Sequence, residues 1–238
     1  MTQQNAPDME KDKEQKPDQK TDKLIELGSS VVTNRHGTIH CLTIIGQIEG
    51  HTNAPDNAKT TKYEHLLPLL ASLEESDEVD GVLILLNTVG GDVEAGLALA
   101  EMIAGMTKPT ATMVLGGGHS IGIPLAVSGR INMIAPSASM TVHPVRMSGT
   151  MIAAPQTYRY FDKLQESIVR FVAAHSQIRA ETFRELMLRT DEMANDVGSV
   201  LYGEDAVALG LMQQVGTLHD ALQALYQAID VDKKSRKT

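Results

Sequence analysis

Ser120 stands inside Gly-x-Ser-x-Gly, as Gly118-His119-Ser120-Ile121-Gly122, and an apolar segment of small residues follows it. Glycines on both sides permit a sharp turn that would present a hydroxyl for attack. A serine attacks well only when a base takes its proton. The chain has eight histidines. His119 is adjacent, but neighbours on a turn point apart. His143 ends the strand-like stretch SMTVHP (139–144) and would reach the same edge of a sheet. A third, acidic group would orient the imidazole. No Asp or Glu lies between Ser120 and His143, so with His143 as base the order Ser, acid, His is excluded. The loop-like stretch 189–206 offers Asp191, Asp196 and Asp205, giving the order Ser, His, Asp. Lys108 and Lys163 would serve a Ser–Lys variant, for which His143 is the better-placed alternative. Gly-x-Ser-x-Gly also arises by chance, and a histidine ending a strand often serves packing. From spacing alone, Ser120 as nucleophile and Ser120 as a small residue fitted to a turn both stand.

Such residues need a frame. The run GVLILLN (81–87) is continuously apolar, as expected of a strand covered on both faces. It leads through the turn TVGGD into a helix at 93–106. A second strand (111–117) leads through GGGHSIG into a second helix (120–129), and strand-like segments follow at 131–136 and 139–144. Strand, turn, helix, strand, turn, helix predicts a parallel α/β arrangement. Sites in such sheets collect at the carboxyl ends of strands, where both glycine turns fall. Helix starts there carry free backbone N–H groups that could hold a developing oxyanion. Before this block the spacing predicts a strand at 38–48, a loop at 50–61 and a helix at 62–76. After it come helices at 157–176 and 180–190, a short helix and strand within 203–216, and an amphipathic helix at 218–230.

Composition narrows the classes. Of 238 residues 42% are hydrophobic, enough for a substantial core, but aromatics are 3%, so aliphatic side chains must fill it. A net charge of −9 argues against a nucleic-acid partner. Cys41 is the single cysteine, so no internal disulfide forms. No run approaches the ~18 apolar residues of a membrane span, and no apolar leader follows Met1. These features predict a cytoplasmic protein. Residues 1–23 are too polar to offset ordering by burial and read as a disordered tail.

Taken together, the motifs resemble the Clp protease proteolytic subunit family, ClpP, and its wider clan with the signal-peptide-peptidase and crotonase folds. GVLILLNTVGGDVEAGLALAEMI resembles the ClpP segment with the Asn-Ser-Pro-Gly-Gly turn. GGGHSIGIPLAVSG resembles the nucleophile segment, and INMIAPSASMTVHP the strand that ends in the catalytic histidine. LYGEDAVALGLMQQV resembles the closing Ser-Ala-x-Glu-Ala segment, and GQIEGH a Gly-Gln-Val-x-Asp near the start. The likeness spans about 38–217. Within the family, the branch of translocation-enhancing proteins, which carry a polar N-terminal extension, is the most similar.

The resemblance implies an α/β fold of the ClpP/crotonase type. Residues 24–144 and 189–230 form a head, 145–188 a protruding strand–helix handle, and 231–238 a basic tail. It implies a serine peptidase with Ser120 as nucleophile, His143 as base, and the amides of Gly91 and Ile121 as oxyanion hole. The family's aspartate aligns without gaps to Gly198. A small insertion brings Asp196 into place and a larger one Asp191, of which Asp196 is preferred. No metal or cofactor is required. The implied partners are peptide or protein substrates and further copies of the chain in a ring, and an ATPase unfoldase is admitted. The helix at 157–176 would be partly a subunit interface through Tyr158, Phe161, Leu164, Ile168 and Phe171, or a core-facing helix. A link with protein export, or with turnover of small proteins, follows from the branch alone. Val89 stands where the family has proline, and His119 where it has a small residue. A crotonase-like acyl-CoA enzyme and a non-catalytic ring protein are the alternatives.

Overall fold

The computed structural model describes residues 28–55, 57–147, 153–191 and 197–236. The expected tail at 1–23 lies outside them. Among the described residues nine strands form one connected sheet. Its path is β1 (Ser29–Thr33), β2 (Thr38–Glu49), β4 (Gly81–Gly91), β5 (Thr110–Gly118), β6 (Ile131–Ile134) and β9 (Gln214–Val215). From β2 to β9 the pairing is parallel, while β1 runs antiparallel along β2. Branching from this path, β3 (Thr60–Lys62) pairs with β2, and β7 (Ser139–Val142) pairs with β5 and, antiparallel, with β8 (Ser199–Tyr202).

The central strands are apolar throughout because both their faces are covered. Ile39, Leu83, Ala111, Met113 and Met133 point to one face. There they meet Ala221, Leu225, Tyr226 and Ile229 of the last helix, α7 (Leu218–Ser235). Their neighbours Leu42, Ile44, Val82, Ile84, Leu86 and Val114 point to the other face. That layer is built by α1 (Tyr63–Glu75), α2 (Val93–Gly105), α3 (Gly122–Val127), α4 (Ala154–His175), α5 (Ala180–Leu188) and α6 (Gly203–Ala208). Full burial of each such aliphatic side chain is worth about 1.5–3 kcal/mol.

Several boundaries differ from the sequence reading. β1, β3 and β8 are short, and their partners rather than their own pattern make them strands. β4 continues through the expected turn to Gly91, because Thr88 donates from Oγ1 to Gly46 O at 2.6 Å and Gly90 and Gly91 stay paired with Gln47 and Ile48. The expected tail at 231–238 is helical through Ser235. Lys233 Nζ there lies 2.9 Å from Asp80 Oδ2 and donates to His36 O at 3.1 Å, which holds the basic end against the β1–β2 turn.

Residues 145–188, the expected handle, supply α4 and α5. The stripe along α4 divides. Ile168 and Phe171 are buried with Val169 and Val172, whereas Tyr158 is 72% exposed. The helix is core-facing in its second half and solvent-facing in its first. Glu166 of α4 accepts two hydrogen bonds of 2.8 Å from Arg184 of α5 and joins the pair.

Candidate active site

β5 delivers Ser120 two residues beyond its end at Gly118. Ser120 has φ +58°, and among the described residues no other non-glycine residue is left-handed. That conformation costs a residue with a β-carbon on the order of 1 kcal/mol or more and persists only where its surroundings impose it. Three main-chain hydrogen bonds do so. Ser120 N donates to Thr141 O at 2.9 Å, Gly122 N to His119 O at 2.8 Å, and Ile123 N to Ser120 O at 3.0 Å. The side chain is thereby turned out of β5 just before α3 begins.

His143 directly follows β7. Its Nδ1 lies 2.7 Å from Pro144 O. A carbonyl oxygen only accepts, so Nδ1 carries a proton and donates it in this contact.

Ser120 and His143 line one cavity of about 150 Å³, together with Gly91 and Ile121. Its walls carry the apolar side chains of Val93, Ile123, Val142, Ile168, Phe183 and Met187, and Arg146 lines it as well. No Asp or Glu lines it among the described residues. The arrangement can take a carbonyl group between a hydroxyl, an imidazole and two main-chain segments.

The acidic candidates fare differently. Asp196 lies outside the described residues. Asp191 has a side chain 84% exposed, sits 3.9 Å from Arg189 Nε and does not line the cavity. Asp205 caps α6, its Oδ2 accepting from Tyr202 N at 3.3 Å. Gly198, with φ +135°, lies against His143: a β-carbon there would stand 2.9 Å from His143 Cβ and would meet the Val142 carbonyl oxygen. Lys108 is buried at the opposite end of β5, where Nζ donates to Ser76 O and Val79 O. Lys163 is exposed on α4.

His119 is half-buried beside the cavity, with Nδ1 2.8 Å from Thr141 Oγ1. Burial, and then the neighbouring His143, hold its pKa below the usual histidine value. Sequence reasoning missed Gly90, Thr141 and Pro144, which position Ser120 and His143. The glycine pair 90–91 was the one signal available for them. Among the described residues no group of three or more His, Cys, Asp and Glu is placed to hold a metal. No described helix is long and apolar enough to cross a membrane.

A parallel α/β sheet with a left-handed serine after one strand and a histidine after a neighbouring strand defines the ClpP-type class. The chain belongs to the Clp protease family: the family's model matches residues 37–219. It is 50% identical over 222 residues to the "Translocation-enhancing protein TepA" of Halalkalibacterium halodurans, covering 93% of this chain and 87% of that protein. It is 26% identical over 208 residues to the "Putative protease MJ0651" of Methanocaldococcus jannaschii, covering 74% of this chain and 64% of that protein.

Proposed function

We propose that the chain is a serine endopeptidase that cleaves small or unfolded proteins through an acyl-enzyme. The observation that carries this reading is that the strained Ser120 and a His143 whose Nδ1 is held by the Pro144 carbonyl line one cavity. In the first half-reaction Ser120 Oγ attacks the peptide carbonyl carbon while His143 Nε2 takes the hydroxyl proton. The Gly91 and Ile121 amides hold the oxyanion. Collapse breaks the C–N bond, and His143 returns the proton to the departing amine. Water then attacks the ester with His143 again as base, which releases the acid and restores Ser120. Asp196 is the third member of this reading, with Asp191 as its alternate.

The apolar side chains in the cavity, Val93, Ile123, Ile168, Phe183 and Met187, favour an apolar side chain next to the cleaved bond. The exposed first half of α4, with Tyr158 and Tyr160, suits contact with a further copy of the chain, and a ring would enclose the cavities in a chamber. The reading puts the protein in the cytoplasm, in keeping with its lone cysteine. A relative half identical to this chain is named for enhancing translocation, which supports a role beside protein export.

One observation favours a second reading, a ring protein without peptidase activity: Gly198 occupies the place beside His143 where the family's aspartate aligns. Hydrolysis of fluorogenic peptides with Leu or Met before the scissile bond separates the two. Turnover by the wild type, lost in Ser120→Ala, is the result expected of the peptidase. Equal background rates from both proteins would favour the scaffold.

A further inference from the structure

We infer that His119 is a positioning residue: its imidazole ties the nucleophile turn to strand β7 and so sets His143 relative to Ser120. This rests on the peptidase reading above.

The need for such a tie lies in the sheet. β7 is bound to β8 by four ladder pairs but joins β5 by one, Gly117 with Ser139. Ser120 follows β5 and His143 follows β7, so their relative placement crosses the thinnest join between the two. Two hydrogen bonds reinforce that join, both ending on Thr141. Ser120 N donates to its carbonyl at 2.9 Å, and His119 Nδ1 shares a hydrogen bond of 2.8 Å with its hydroxyl. Thr141 stands two residues before His143. His119 N also donates to Thr88 O at 3.1 Å, which fixes the same turn to β4.

The imidazole has a seat. A β-carbon at position 117 would stand 2.5 Å from His119 Nε2 and 2.7 Å from Cδ2, so the glycine leaves the space that the ring fills. The ring is held between the Gly117 backbone and the Thr141 hydroxyl. It does not line the cavity, so it acts on the reaction through β7. Its lowered pKa keeps it neutral at pH 7, able to share the Thr141 bond as donor or acceptor.

The test is a double-mutant cycle read as the second-order rate of Ser120 modification by a fluorophosphonate. Its members are wild type, His119→Ala, Thr141→Val and the double variant, with His119→Asn as the conservative exchange. Each single variant is expected to react roughly 5–10-fold more slowly, the scale of one hydrogen bond in a positioned site. The double variant should be no slower than the worse single one. His119→Asn, whose amide can reach Thr141, should recover to within about twofold of wild type. With a peptide substrate the loss should fall on kcat and leave KM unchanged. Single variants at the wild-type rate, or losses that multiply in the double variant, would overturn the inference while leaving the peptidase reading intact. A folded wild type that takes no label would overturn the peptidase reading, and this inference with it. If His119→Ala does not fold, Thr141→Val and His119→Asn decide the matter: a wild-type rate in Thr141→Val overturns the tie.

Discussion

Gly90 backs directly onto Ser120: a β-carbon at position 90 would stand 2.7 Å from the β-carbon of Ser120 and 2.8 Å from His119 O. Gly90 also has φ +88°, a conformation that side chains rarely adopt. The first glycine turn thus supports the second, and the strained geometry of Ser120 depends on a residue of another strand. Gly90→Ala is expected to lower stability by about 1–3 kcal/mol through backbone strain alone. It should also displace Ser120 enough to slow acylation about 100-fold. Thermal unfolding and single-turnover acylation check the two parts separately.

The acid of the proposed triad can be assigned by charge removal. The Pro144 carbonyl already orients the His143 ring but brings no negative charge to steady an imidazolium. With Asp196 as the third member, Asp196→Asn should lower kcat by about 10³–10⁴-fold. Asp191→Asn should stay within about twofold of wild type, since that carboxylate faces solvent beside Arg189. The reverse pattern would move the role to Asp191. Full activity in both variants would leave orientation of the base to the carbonyl.

His40 is buried in β2, its Nε2 has no hydrogen-bond partner among the described residues, and burial holds its pKa below the usual histidine value. The folded protein therefore resists protonation there, whereas the unfolded chain accepts it near pH 6.5. Stability is undiminished above the unfolded value and falls as pH drops from there toward the folded one. Urea midpoints should decline between pH 7 and pH 5 in the wild type, and less steeply in His40→Leu. Equal slopes would show that the ring does not contribute.

Tyr158 is the most exposed large apolar side chain of the chain's described part, and it lies on the outward half of α4. If copies meet through that half, Tyr158→Glu should shift assemblies toward smaller species in sedimentation velocity. Peptidase activity per chain would fall with them. An unchanged sedimentation profile would place the contact elsewhere.

Much of the frame was legible because the central strands are covered on both faces, so the apolar runs at 38–48, 81–87 and 111–117 announce themselves. Ser120 and His143 were legible because each combines a reactive type with a place at a strand's end. What escaped depends on distance through space. Gly90 matters because β4 passes beneath the Ser120 turn, and Thr141 because its hydroxyl meets a ring twenty-two residues earlier in the chain. β3 and β8 are strands because β2 and β7 pair with them. The lysines after residue 230 read as a solvated tail, yet Lys233 has Asp80 and His36 as partners and the helix runs on. The choice between Asp191 and Asp196 rests on the path of one connecting segment, which residue spacing does not determine.

The most direct measurement is labelling of the folded protein with a fluorophosphonate, with the modified residue located by mass spectrometry in wild type, Ser120→Ala and His143→Ala. A serine activated by His143 predicts a single adduct on Ser120 in the wild type, none in Ser120→Ala, and a loss of about 10³-fold or more in rate in His143→Ala. A folded, assembled wild type that stays unlabelled would contradict the account. Ser120 would then be a small residue on a tight turn, and the chain a ClpP-like scaffold.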